Sequence, residues 1–475
     1  MKLLLKIVFG VLIAGIILAP AAFAQRKVSP TAVTISGKIN LDDNYVAIIS
    51  DLRGKNKEAI EIPISKSGVF SWKSTINSTG FVRVSFIPKS KNRQLAAFFP
   101  LYVAQGTKLQ LNLSYSDSTY LSLLPGNLSG ENTALIQYSN FTSLKLRDMF
   151  KNKPSSVNDI KSSILPYLET ADNYIGKFGV KNEIVKQYLN AWALNNYLSG
   201  LYSLPHGLKV KDLPADYYTI PKSPEVVYNN DVAMLLNETY MNVNQYINTV
   251  KKDAQSKDAF EQLKLKFKTL NDLFTNKQLM ARIVTGNIEE LVRKYTVRAN
   301  GNFEDDLIKY KELVAYVNDE GKRAELIKDF ENLKYTMKGA KLPDVAFKTA
   351  TGNTVKLQSF EGKYIYIDLW ASWCKPCVAE IPALHQLETD YKDKNIVFVS
   401  ISLDADKDDW KSKMAELKLE GNQLELGDSA YDKLMNVAGI PHFLLYDPTG
   451  KLIMYKAPRP GTKEIRTMFD QLLQL

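Results

Sequence analysis

Cysteine is almost absent from this chain: 475 residues contain two, Cys374 and Cys377, separated by two positions. That scarcity excludes a fold stapled by structural disulfides, so packing must supply the stability. It also leaves no third thiol within the chain to resolve or scramble the pair, so electrons exchanged there pass to or from another molecule. Histidine is nearly as rare. His206, His385 and His442 are scattered in sequence, which argues against a closed four-ligand zinc site, and no metal is expected. Neither sign of charge dominates, with 61 basic and 51 acidic residues giving +10. The lysines are spread along amphipathic segments without a recognition motif, so nucleic acid is not an expected partner. Beyond the N-terminus no apolar run is long enough to span a bilayer, and no 34-residue helical repeat recurs.

What is present begins with a leader-like stretch. Lys2 and Lys6 precede the apolar run Ile7 to Leu18, Pro20 follows it, and Ala22-Phe23-Ala24 places small residues at a cleavage site. The run is shorter than the ~20 residues of a spanning helix, which points to a cleaved signal peptide over residues 1–24 and a mature chain from Gln25. The cleavage point lacks the cysteine of a lipoprotein. The expected location is therefore the periplasm or cell envelope, with a mature charge of +8 once Lys2 and Lys6 are removed.

A hydrophobic content of 45% with 24% charged residues describes a globular chain too long for one core. Residues 25–130 show short alternating runs divided by turn residues: Val33 to Ile39, Tyr45 to Ser50, Ala59 to Ile64, Gly68 to Ser74, Gly80 to Ile87, Leu95 to Val103 and Lys108 to Tyr115. They predict an antiparallel, sandwich-like or barrel β domain in which Lys66-Ser67-Gly68 forms a hairpin tip. Residues 131–337 change to helical spacing, predicting an all-α region whose prolines at 205, 214, 221 and 224 cluster in one break between helices. Tyr and Asn are frequent there, and the aromatic residues at helical spacing are read as core. Residues 338–475 alternate strand and helix, the order of an α/β sheet with helices on both faces.

The chemistry lies in this last segment. Trp373-Cys374-Lys375-Pro376-Cys377 follows a predicted buried strand and opens a predicted helix, so Cys374 falls at the helix N-terminus. Unpaired backbone N–H groups and the positive dipole end favour thiolate there, typically with a pKa between ~3.5 and ~7.5. Cys374 is the expected exposed nucleophile and Cys377, one turn on, its inward-facing resolving partner. Asp368, six residues earlier on the strand, is placed to take the Cys377 proton. Pro382 should kink the helix, and Gly439-Ile440-Pro441 before a strand suggests a cis Ile440-Pro441 bond presenting backbone to an extended substrate. Trp373 reads as a packing wall beside the sulfur, with substrate contact secondary. His442 reads as the start of a strand, though its place after the proline leaves contact with substrate open.

Together, Trp370-Ala371-Ser372-Trp373-Cys374-Lys375-Pro376-Cys377, Asp368, Pro382 and Ile440-Pro441 resemble the thioredoxin superfamily. The initial hairpin and Glu380-Ile381-Pro382 narrow the resemblance to extracytoplasmic proteins of the TlpA/ResA type, over about residues 338–475. The resemblance implies a thioredoxin-like fold and disulfide exchange with other exported proteins, more in the reducing direction, with a membrane electron donor of the DsbD/CcdA kind. It implies no cofactor beyond the redox-active Cys374–Cys377 pair. Cys374 would attack, Cys377 would resolve, Pro441 would lie beside them, and Glu380 matches an acidic residue that modulates cysteine reactivity in ResA-type proteins. Asp368 and Glu380 both remain open as proton acceptor, Asp368 preferred because it sits on the buried strand. The upstream layout resembles that of Bacteroidetes-type exported proteins, without a motif that carries function. Three alternatives stand beside oxidoreductase: a partner-binding module with a dedicated redox domain, a disulfide isomerase, and, disfavoured by Ser372-Trp373 before Cys374, a peroxiredoxin-like peroxidase.

Overall fold

The computed structural model describes residues 32–52, 59–75, 79–89, 97–116, 120–124, 128–208, 213–214, 216–250, 258–295, 303–426 and 431–475. The leader read over residues 1–24 lies outside them. The chain divides into two compact units: residues 1–153 with 169–189, and residues 154–168 with 190–475. The helical region is thus shared between the units, and its C-terminal part forms one unit with the α/β segment.

Among the described residues the first unit holds eight strands, β1 (Ala32–Ile39), β2 (Tyr45–Asp51), β3 (Ala59–Pro63), β4 (Val69–Thr75), β5 (Gly80–Pro88), β6 (Ala97–Val103), β7 (Lys108–Ser116) and β8 (Tyr120–Leu123). They form two four-stranded sheets, ordered β4-β1-β7-β8 and β3-β2-β5-β6. Alternating residues of both, such as Val33, Ile35, Val82, Val84, Leu101 and Leu111, share one core. Two expectations are corrected. The domain is not wholly antiparallel, because β1 and β7 run parallel; nearly seventy residues of intervening chain, including the whole second sheet, supply the long crossover a parallel pair needs. Nor is Lys66-Ser67-Gly68 a hairpin tip. It hands the chain from β3 in one sheet to β4 in the other, with Gly68 at φ +81° where a Cβ would meet the Ile39 carbonyl oxygen at 1.8 Å.

Ser129 caps α1 (Gly130–Lys151) by accepting the Asn132 N–H. Asn132 then docks the helix on β6, accepting from Tyr102 N at 2.8 Å and donating to its carbonyl at 3.1 Å. The later helices are α2 (Val157–Ile164), α3 (Pro166–Lys177), α4 (Glu183–Gly207), α5 (Pro224–Tyr228), α6 (Glu238–Val250), α7 (Ala259–Leu273), α8 (Lys277–Tyr295), α9 (Phe303–Val314) and α10 (Glu320–Asn332). Pro205 does not fall in the break between helices, as its cluster suggested, but inside α4. A proline there lacks the N–H owed to the Leu201 carbonyl, and the Tyr217 hydroxyl donates to that oxygen instead at 2.9 Å. Tyr217, Tyr228 and Tyr310 are core, as read for the aromatic residues, and Asn195 and Asn242 are buried with them. The Asn195 side-chain oxygen accepts from both Tyr228 Oη (2.8 Å) and Asn242 Nδ2 (2.9 Å), while its amide donates to Thr239 Oγ1 (2.8 Å), closing a buried polar network.

The α/β segment contains β9 (Ala346–Thr349), β10 (Thr354–Lys356), β11 (Tyr364–Trp370), α11 (Lys375–Asp390), β12 (Ile396–Ser402), α12 (Lys407–Leu417), β13 (Asn422–Glu425), α13 (Tyr431–Leu434), β14 (His442–Tyr446), β15 (Leu452–Met454) and α14 (Lys463–Leu473). Seven strands run in the order β10-β9-β13-β12-β11-β14-β15. Central β11 pairs parallel with β12 and antiparallel with β14, and its alternation sorts the faces. Ile365, Ile367 and Leu369 join the cluster that includes Tyr431 and Met435 around α13. Tyr366 packs with Leu384 and Leu387 of α11 and Phe469 of α14. Asp368, in phase with Tyr366 and Trp370, therefore faces the helix that carries the cysteines.

Candidate active site

Cys374 is the N-cap of α11, Pro376 lies in its first turn, and Cys374 Sγ accepts the Cys377 N–H at 3.2 Å. The two sulfurs form a disulfide. Pro382 is accommodated within the helix, and Ile440-Pro441 is cis. The expected contrast between an exposed Cys374 and an inward Cys377 is not observed in this oxidised form, in which they are 4% and 3% exposed. Trp370, Ala371, Ile381 and Trp410 enclose both, with Ile440 packed alongside. Trp373 also departs from its reading as a packing wall. At 67% exposure it stands in solvent, leaving Trp370 and Trp410 to wall the sulfurs.

The two carboxylates proposed for proton transfer occupy different settings. Asp368 is 7% exposed, and its carboxyl is pushed up to about 8, first by burial and then by the negative charges of Glu380 and Glu388. Half-buried Glu380 is paired instead with Arg459, whose guanidinium donates to Oε1 at 2.9 Å. Glu388 escaped the sequence reading although it lies three turns beyond Cys377, on the same helix face by spacing. Burial raises its carboxyl, opposed by His385, whose Nδ1 is 3.3 Å away. His442 opens β14 as expected. It is buried against Tyr455 with ring centroids 4.7 Å apart, and burial pushes the imidazole down to about 4, so it is neutral near pH 7.

Asp404 was also missed, because its role depends on a contact across 32 residues. One carboxylate receives Ser372 N at 2.9 Å and Ser372 Oγ at 2.6 Å, and also Ser402 Oγ at 2.7 Å. These charge-assisted bonds pin the turn that delivers Cys374 to the helix. Replacing Asp404 by alanine is expected to cost roughly 1–3 kcal/mol and to speed amide exchange at Ser372 and Trp373. Unchanged exchange at both would remove this positioning role. Among the described residues, no three His, Cys, Asp or Glu side chains converge as a metal-binding set, and no helix is long and apolar enough to cross a membrane.

Comparison with known proteins matches residues 337–456 to the Redoxin family. The thioredoxin-like protein YneN of Bacillus subtilis is 43% identical over 56 residues, 12% of this chain and 33% of that protein. The thiol-disulfide oxidoreductase ResA of Bacillus thuringiensis subsp. konkukian is 31% identical over 119 residues, 24% of this chain and 66% of ResA. This chain thus spans a third to just under two thirds of these relatives. A solution structure of a thiol:disulfide interchange protein from Bacteroides sp. is 30% identical, covering 29% of this chain and 91% of that one, with a TM-score of 0.27. Together with the Cys374–Cys377 pair at a strand-to-helix turn, the family and ResA matches place residues 338–475 among the thioredoxin-like proteins of the TlpA/ResA type, a family of thiol-disulfide oxidoreductases.

Proposed function

We propose that this chain is an exported thiol-disulfide oxidoreductase that exchanges disulfides with other extracytoplasmic proteins through Cys374 and Cys377, working as a reductase. The observation that carries the reading is a disulfide seated at the N-terminus of α11 over a buried carboxyl, Asp368. In the reduced chain, the Cys374 thiolate attacks a substrate disulfide. One substrate sulfur leaves as thiolate and a mixed disulfide forms. Cys377 gives its proton to Asp368, attacks Cys374 Sγ and releases the second substrate thiol, leaving the oxidised pair. Two electrons have passed to the substrate. A membrane donor of the DsbD/CcdA kind returns them, and no cofactor beyond the disulfide takes part. Ile440, packed beside the sulfurs, forms with exposed Trp373 and with Pro441 the surface against which the substrate lies.

Trapping tests this directly. In a Cys377→Ser chain the mixed disulfide on Cys374 cannot resolve, so discrete partner proteins are expected as reducible adducts that are missing from a Cys374→Ser chain. Equal recovery from both chains would overturn the reading. Direction is tested by equilibrating the pair with glutathione, where a potential as oxidising as roughly −120 mV would exclude a reductase.

A further inference from the structure

Beside Gly439 and Pro441 lies a cavity of about 310 Å³ whose wall is completed by Arg293, from the last turn of α8 in the helical region. Of its eleven lining residues, Arg293, Lys456 and Arg459 are cations and none is acidic. All three are exposed, so their charges are hydrated and carry little desolvation cost, and Arg459 shares its charge with a carboxylate of the cysteine helix, Glu380. His442 also lines the cavity, and its buried Nε2 has no hydrogen-bond partner among the described residues. The imidazole is neutral near pH 7, so one of its two ring nitrogens is an acceptor.

A concave site with converging cations and one unmet acceptor suits an occupant that carries both carboxylates and N–H groups. A peptide does; an inorganic anion does not. Its position against the 439–441 loop places it along the path of a substrate segment whose cysteine is bonded to Cys374. We propose that this cavity receives acidic side chains flanking the target cysteine, so that the helical region, through Arg293, directs the redox domain toward acidic protein segments. This rests on the exchange reading above.

The test uses the full chain carrying Cys377→Ser and three peptides, each with one cysteine linked by a disulfide to thionitrobenzoate and flanked by Glu, Gln or Lys. Attack by Cys374 breaks that disulfide, forms the Cys374–peptide disulfide and releases coloured thionitrobenzoate, one per event. At low ionic strength the Glu peptide is expected to react about tenfold faster than the Gln peptide and the Lys peptide slower than either, with the spread collapsing as salt screens the charges. Adding Arg293→Glu and Lys456→Glu should bring the Glu-to-Gln ratio to one or below. A ratio within twofold in the parent chain, or one that survives the double reversal, overturns the acidic-segment proposal while leaving exchange intact. Failure of all three peptides to react overturns the exchange reading itself.

Discussion

Replacing Asp368 by asparagine is expected to stabilise the oxidised chain at neutral pH while impairing its chemistry. The carboxyl lies near 3.8 in an unfolded chain and about 8 in the fold, so between those values the native state holds a proton that the unfolded state has lost. Stability from this group therefore falls as pH rises from about 4 to about 8, and the deficit stays constant above. A neutral amide carries no such penalty. The gain over wild type should be near zero below pH 4 and reach roughly 3–5 kcal/mol at pH 7, read by urea unfolding of the oxidised proteins across pH. Equal stability of the two chains at pH 7 would show that the carboxyl is not held neutral. The kinetic counterpart follows from the same titration. As the proposed acceptor of the Cys377 proton, Asp368 is mostly protonated at pH 6, and its basic fraction rises roughly tenfold per pH unit toward 8. Resolution of a mixed disulfide by Cys377 should climb on that limb in wild type and lose it in Asp368→Asn. Survival of the limb in Asp368→Asn would rule out Asp368 as the acceptor.

Truncating Phe330 to alanine should cost about 3–5 kcal/mol, the range for a fully buried aromatic replaced by a cavity. Phe330 is inaccessible to solvent. It stacks on Tyr310 at 4.2 Å and on Phe303 at 5.7 Å, and meets Tyr295 at 4.9 Å and Phe260 at 6.4 Å. Four helices, α7 to α10, thus converge on one ring. Two polar clasps hold the same cluster: Tyr310 Oη donates to the Leu326 carbonyl at 3.1 Å and Tyr295 Oη to Asp306 at 2.9 Å. Burial raises both phenols, so they stay protonated donors at neutral pH. Because Tyr295 follows Arg293 by two residues on α8, loosening this cluster should also blunt the acidic preference. Phe330→Leu should recover most of the stability, and a loss below 1 kcal/mol for Phe330→Ala would show that the site collapses freely.

Local sequence rules carried much of the fold. The strand segment, the helical region and the closing alternation of strand and helix follow one another in the order that their spacing gives. Failures came where a partner distant in sequence decides the outcome. Strand β13, four residues long, exists because β12 on one side and β9 on the other supply its hydrogen bonds. Helix α10, inside the region read as helical, shows only a weak apolar stripe in a Glu- and Lys-rich sequence, and Leu326 and Phe330 anchor it. The two sheets of the first unit could not be told from one, since alternation shows which side chains point inward but not which strand is the neighbour.

The site divides in the same way. From its sequence alone the chain shows a Cys-x-x-Cys pair at a helix terminus, an aspartate on the preceding strand and a Gly-Ile-Pro segment before a later strand, because each depends on spacing within one or two elements. Tertiary structure alone places both sulfurs under Trp370 and Trp410, leaves Trp373 in water, ties the cysteine turn to Asp404, and brings Glu380 and Glu388 to bear on Asp368. It also carries Arg293, on a helix far upstream in sequence, to the edge of the proline loop. Burial and electrostatic proximity are properties of the packed chain, and no local pattern encodes them.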